Sequence, residues 1–199
     1  MRRLPLTALL AVLAVLAGSM ALTACGDDST DSGPVSTIEA GPEITLSGTD
    51  TTIALDGLGT GTLETAGVKV GAIGPARLKA ERLVLPVVGG KITEGTLAGQ
   101  IDNAGGISFT AGEKRVGYED LTIDTTVGQV FAGAKGTTPV FDLDTRALKR
   151  SDDAGVIVID DVVALLSSEA ARELNEKLEV SAFQPRQVIG KVTVRAAGS

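Results

Sequence analysis

Histidine is missing altogether from these 199 residues, as is tryptophan, and aromatic residues make up only 3%. Without histidine neither a Ser-His-Asp nor a Cys-His arrangement can be assembled, and the usual zinc, copper and non-haem iron sites lose their commonest ligand. The chain also has no GxSxG, SxxK or GxxxxGK, and no GxGxxG set between a strand and a helix. The side chains that most catalytic mechanisms need are therefore absent, and the sequence predicts a protein that is not an enzyme, with no catalytic residues and no metal ligands to assign. The scarcity of aromatics argues equally against a glycosidase-like carboxylate pair, because sugar clefts usually offer stacking platforms.

Cysteine occurs once, at Cys25, and both methionines fall before it, at Met1 and Met20. Residues 1–24 have the layout of an export signal: Arg2 and Arg3 supply a positive start and "ALLAVLAVLAG" an apolar stretch, with small residues approaching Ala24. The apolar stretch is too short for a comfortable transmembrane span. Leu22-Thr23-Ala24-Cys25 resembles the lipobox of bacterial lipoproteins, in which the cysteine thiol takes up diacylglycerol and the chain is then cleaved before it. That resemblance implies lipidation of Cys25, a membrane partner reached through the anchor, and a place on the outer face of the cytoplasmic membrane or the cell surface. A stray cysteine in an ordinary signal peptide is the other reading. If the signal is removed, 16 basic residues face 25 acidic ones, a net charge of −9 that should repel nucleic acid and anionic headgroups. No second cysteine is left for a disulfide, so packing alone must stabilise the fold.

Residues 25–42 are acidic and rich in Ser, Thr, Gly and Pro, a composition that cannot bury enough surface to order itself and predicts a tether. From residue 43 to 199 the chain alternates in short runs such as "EITLSGT", "ISFTA", "LTIDTT", "QVFAGA", "PVFDLDT", "GVIVID" and "GKVTVRA", separated by glycine-rich turns. This predicts one mainly β domain, an antiparallel sandwich or barrel-like sheet with one or two short helices. "SSEAARELNEKLEV" reads as a helix capped by Ser167 or Ser168, and "LGTGTLETAGV" as a weaker one stopped at Gly67. Gly89-Gly90 and Gly105-Gly106 read as hairpin turns.

Carboxylates are the chemistry that remains. Asp142 and Asp144 alternate and should share a strand face, and Asp152-Asp153 and Asp160-Asp161 flank "AGVIVI", where they could converge on calcium or act as a catalytic pair. Turn-forming, solvated aspartates are the plainer reading. The lone tyrosine, Tyr118, reads as a core-edge residue or, alternatively, as a phenolate ligand to haem iron.

"AGVKVGAIGPARL", "LVLPVVGGKI", "GQIDNAGGISF", "LTIDTTVGQVFA", "PVFDLDT" and "SSEAARELN" together resemble a family of secreted or lipid-anchored actinobacterial surface proteins, itself distantly similar to the HtaA domain. The resemblance spans about residues 50 to 195 and implies an exported β-sandwich. In some HtaA members haem is bound through a tyrosine assisted by a histidine, which here would nominate Tyr118 and haem. Where the family pattern has a histidine before its Gly-Gly pair, this chain has Asn103. Three functions stand side by side: a non-enzymatic envelope domain contacting an unidentified envelope component or small ligand, a module for haem or another hydrophobic ligand, and a calcium-dependent or carboxylate-catalysed hydrolase.

Overall fold

The computed structural model describes residues 41–199 except 59 and 135, so the segment expected to be a signal, Cys25 and nearly all of the expected tether lie outside the described residues. Thirteen strands follow in order: β1 (Glu43–Ala54), β2 (Val68–Ile73), β3 (Arg77–Lys79), β4 (Arg82–Thr93), β5 (Gly99–Asn103), β6 (Gly106–Ala111), β7 (Lys114–Glu119), β8 (Thr122–Asp124), β9 (Gln129–Ala132), β10 (Thr138–Asp144), β11 (Lys149–Asp153), β12 (Val156–Leu166) and β13 (Val188–Gly198). Helix α1 (Thr60–Thr65) follows a single 3-10 turn at Asp56–Leu58, and α2 (Ser168–Leu178) lies between β12 and β13. The fold is mainly β, as the alternation predicts.

Ten strands form one antiparallel sheet in the order β1-β13-β12-β10-β9-β8-β5-β4-β3, with β11 beside β12. Because β1 also pairs with β4, from Glu43 opposite Thr93 to Ala54 opposite Arg82, eight of these strands close into a barrel. The seam needs one long strand with two partners, and β1 changes its inward face halfway to serve both. Gly48 and Thr49 take positive φ at a bulge, so Leu46 points inward before it and Thr51 and Ile53 after it. β12 does the same at Asp160-Asp161: Ile157 and Ile159 are buried before the bulge, Val162, Ala164 and Leu166 after it. The barrel is filled by its own side chains, Ile101, Ile123, Ile159, Val192 and Val194 among them, leaving a void of only about 10 Å³ near them, too small to hold a ligand.

The remaining strands form a second sheet, β2-β6-β7, on which α2 packs through Ala170, Leu174 and Leu178. The helix begins as its sequence predicts: the Ser167 hydroxyl accepts the Ala170 N–H at 3.0 Å. The α1 prediction also holds, with Gly67 at φ +69 beyond its end and its N–H on the Glu64 carbonyl.

The glycine pairs do not sit in hairpin turns. Gly89-Gly90 lies inside β4, where a side chain on Gly90 would come within 2.4 Å of the Gln100 carbonyl of β5. Gly105-Gly106 makes the crossing from the barrel into the second sheet. Gly105 has φ +83, and a Cβ on Gly106 would stand 1.9 Å from the Tyr118 carbonyl. Glycine is required there by close backbone approach more than by a turn.

Candidate functional site

Tyr118 sits on β7, and alternation turns its ring under α2, leaving the residue 3% exposed. The ring meets Phe109 edge-on at 6.4 Å, and Phe109 meets Phe183 in the same way at 5.4 Å. Its hydroxyl donates to Glu173 Oε2 on α2 at 2.9 Å. Burial, then the hydrogen bond to Glu173, then the charges of Glu173 and Glu169 push ionisation of the phenol far above its ordinary range.

An iron-ligating phenolate is therefore disfavoured at this position, since the proton it would lose is the one that holds Glu173. The shallow hollow beside the ring, about 290 Å³, is lined by Glu119, Glu173, Gly133, Thr137 and Thr138; among the described residues its lining includes no cation, and Lys177 is held by Glu173. Asn103, at the position of the family's histidine, is 3% exposed and uses its amide nitrogen on the carbonyls of Ile101 and Leu121. Haem ligated by Tyr118 does not fit these surroundings.

The aspartates predicted to converge stay apart. Lys149 faces Asp160 and Asp153 faces Val156 across the β11–β12 hairpin, so the two acidic pairs lie at opposite ends of a ladder about 13 Å long. Cations meet them: Asp161 takes Lys149 at 2.7 Å and Lys191 at 3.1 Å, Asp152 takes Arg150 and Asp153 takes Arg195. Asp142 and Asp144 do share a face, but Asp142 accepts from Gln129, and the Arg146 guanidinium grips Asp144 and lowers its pKa to about 2. Among the described residues no three acidic, histidine or cysteine side chains gather as a metal would need.

The feature that sequence reasoning missed is an open apolar cleft of about 420 Å³ where β1 ends. The 3-10 turn brings Leu55 and Leu58, α1 brings Leu63, and β2 and β3 add Val68, Val70 and Leu78. Glu64, Lys69 and Glu81 stand at its rim. Its size falls in the range of small-molecule sites, and its walls are mostly apolar, as such sites require. None of its lining residues is a metal ligand of the soft or imidazole kind. Glu81 belongs to a strained tip: Ala80 and Glu81 both take positive φ, at 46° and 59°, and the Glu81 carbonyl receives the Leu55 N–H at 2.7 Å. In the sequence the cleft leaves only a faint trace, the apolar series Leu55, Leu58, Leu63, Val68 across a break between strands; that Leu78 is exposed between Arg77 and Lys79 is visible only in the structure.

No protein-family model matches the chain, and no curated protein matches it. Among solved structures, the C-terminal domain of HtaA from Corynebacterium glutamicum is similar at a TM-score of 0.58 with 12% sequence identity, over 78% of this chain and 99% of that one. The haem-binding protein HtaB from the same organism is similar at 0.49 with 9% identity, over 79% of this chain and 96% of that one. The likeness to the HtaA domain establishes a shared fold over nearly all of that domain.

Proposed function

We propose that this chain is a non-enzymatic module of the cell envelope that holds a hydrophobic small molecule in the cleft walled by Leu55, Leu58, Leu63, Val68, Val70 and Leu78. Lipidation at Cys25 would keep it at the outer face of the cytoplasmic membrane, with residues 26–42 as the tether. The observation that carries the reading is the cleft itself, a mostly apolar hollow of about 420 Å³ where β1 ends, with nearly buried Leu55, Leu58, Leu63 and Val68 in its wall and the more exposed Val70 and Leu78 beside them. The shared fold with the HtaA domain supports a binding role over a catalytic one.

Haem is the ligand that the resemblance to the HtaA domain suggests. In this chain the cleft could bury an apolar ring but brings no side chain to its iron, and Tyr118 is committed to Glu173. Ligands that need no metal coordination suit it better.

The test is a titration of residues 41–199 with 1-anilinonaphthalene-8-sulfonate and, separately, with hemin. Fluorescence enhancement in the native protein should disappear in Val70→Arg, which places a charge in the wall, and persist in Tyr118→Phe. A hemin complex with a Soret shift that Tyr118→Phe abolishes would overturn the cleft reading and restore the tyrosine as ligand.

A further inference from the structure

The cations of this acidic chain are not spent evenly. Nine of the described lysines and arginines lie within 4.0 Å of a carboxylate. Among the described residues six have no such partner, and four of them, Lys69, Arg77, Lys79 and Arg82, fall in one stretch of 14 residues. Three of the four belong to the β3–β4 hairpin. Lys79 stands directly opposite Arg82 in the ladder, and Arg77, two residues before Lys79, projects from the same face. Like charges placed directly across a ladder repel each other and destabilise the pair. Elsewhere among the described residues only Arg115 and Arg172, far apart in sequence, lack such a partner, and here Glu81, the carboxylate at the tip, lines the cleft.

Apolar surface accompanies the charge. Leu78 lies between Arg77 and Lys79, points to the opposite face and is 36% exposed. β3 is the terminal strand of the large sheet, so anything approaching its free edge meets the cations from one side and Leu78 and the cleft mouth from the other. Cationic side chains around an exposed aliphatic group are the composition of an interfacial membrane contact, where basic heads take phosphates and apolar groups sit at the acyl boundary. A water-soluble polyanion would find no use for Leu78.

We infer that the free edge of the β3–β4 hairpin docks on an anionic phospholipid surface, with Arg77, Lys79 and Arg82 on headgroup phosphates and Leu78 at the interface. The net charge of −9 left without residues 1–24, expected from the sequence to repel anionic headgroups, does not oppose this. Screening at physiological salt confines each charge to about 8 Å, so a surface touching the hairpin feels these three cations, offset by Glu81 at the tip, and little of the more distant acidic residues. Docked this way, the cleft opens toward the lipid, from which an apolar ligand would enter. The inference goes beyond the ligand reading and stands if the cleft binds nothing.

The test is sedimentation of residues 41–199, whose barrel closes with strands that all lie within that span, with vesicles of phosphatidylcholine alone or mixed with phosphatidylglycerol. Binding should require phosphatidylglycerol, weaken with salt, and fall roughly a hundredfold in Arg77→Gln/Lys79→Gln/Arg82→Gln, about fivefold per charge. Leu78→Asn should weaken it further. Lys149→Gln/Lys191→Gln/Arg195→Gln makes the same change in net charge from paired positions and should bind as the parent does. Equal losses in the two triple variants would overturn the inference, because net charge alone would then explain binding. So would indifference to phosphatidylglycerol, or competition by soluble polyphosphate with Leu78→Asn unaffected, which would assign the hairpin to a phosphate polymer. Cooperative melts of all variants separate loss of docking from loss of fold.

Discussion

Replacing Tyr118 with phenylalanine separates a structural hydroxyl from a ligating one. The change leaves the ring, its edge-on contact with Phe109 and its burial in place and removes the hydroxyl that donates to Glu173. A hydrogen bond to a charged acceptor contributes about 1.5–3 kcal/mol net. Glu173 keeps its pair with Lys177 and its side chain is 24% exposed, so water repairs part of the loss, and about 1–2 kcal/mol is expected at neutral pH. For a domain of this size that is a fall in Tm of about 3–6 °C, read from urea or thermal unfolding. The pH dependence has a definite sign. The folded phenol ionises far above the unfolded one, so the contribution is complete below about pH 10 and is lost as pH rises beyond it. Tyr118 is the only tyrosine and tryptophan is absent, so phenolate absorbance near 295 nm reports on this one group. Absorbance should stay flat through pH 10 and rise only as the protein unfolds. An ordinary titration near pH 10 in folded protein, or a Tyr118→Phe variant as stable as the parent, would refute the reasoning.

Three further predictions follow from backbone and charge. Gly106→Ala should cost more than about 4 kcal/mol or prevent folding, since its Cβ would lie 1.9 Å from the Tyr118 carbonyl, while Gly89→Ala, whose nearest neighbour is the Asp102 carboxylate at 3.9 Å, should melt within a few degrees of the parent. Ala80→Asn with Glu81→Gly, which suit the positive φ at 46° and 59°, should raise stability by about 1 kcal/mol in chemical denaturation, and a decrease would mean the tip is not strained. In Arg146→Ala the Asp144 carboxyl, which titrates at about 2 in the parent, should return to the usual carboxylate range by NMR titration. Its pairing therefore supports the fold above the ordinary carboxylate pKa and is lost as pH falls toward 2.

The alternation that exposes one face of each strand was enough to place β1, β6, β8, β9, β10, β12 and β13, and the cap at Ser167 placed α2. Two things escaped because they depend on pairing partners that local pattern does not contain. Gly90 and Gly106 read as turn residues, yet each is small because another strand's backbone passes within 3 Å of where a Cβ would stand. The aspartates of β11 and β12 read as neighbours because they flank one apolar run, yet the hairpin register sends the pairs to opposite ends. The site escaped for a related reason. Leu55, Leu58 and Leu63 belong to a turn and a short helix, and nothing in their spacing says that β3, some 15 residues on, forms the opposite wall. Net charge misled in the same way: an average of −7 concealed a hairpin with three unmet cations.

The seam of the barrel also governs when the protein can form. Thr45 and Ser199 exchange both backbone hydrogen bonds at 3.0 Å, so the first strand of the domain is zipped to the last residue of the chain. Pairing at such separation pays its loop-closure entropy late, which slows folding. Until β13 finds it, β1 has β4 on one side and an empty edge on the other, so the barrel stays open until its most distant pair of strands meets.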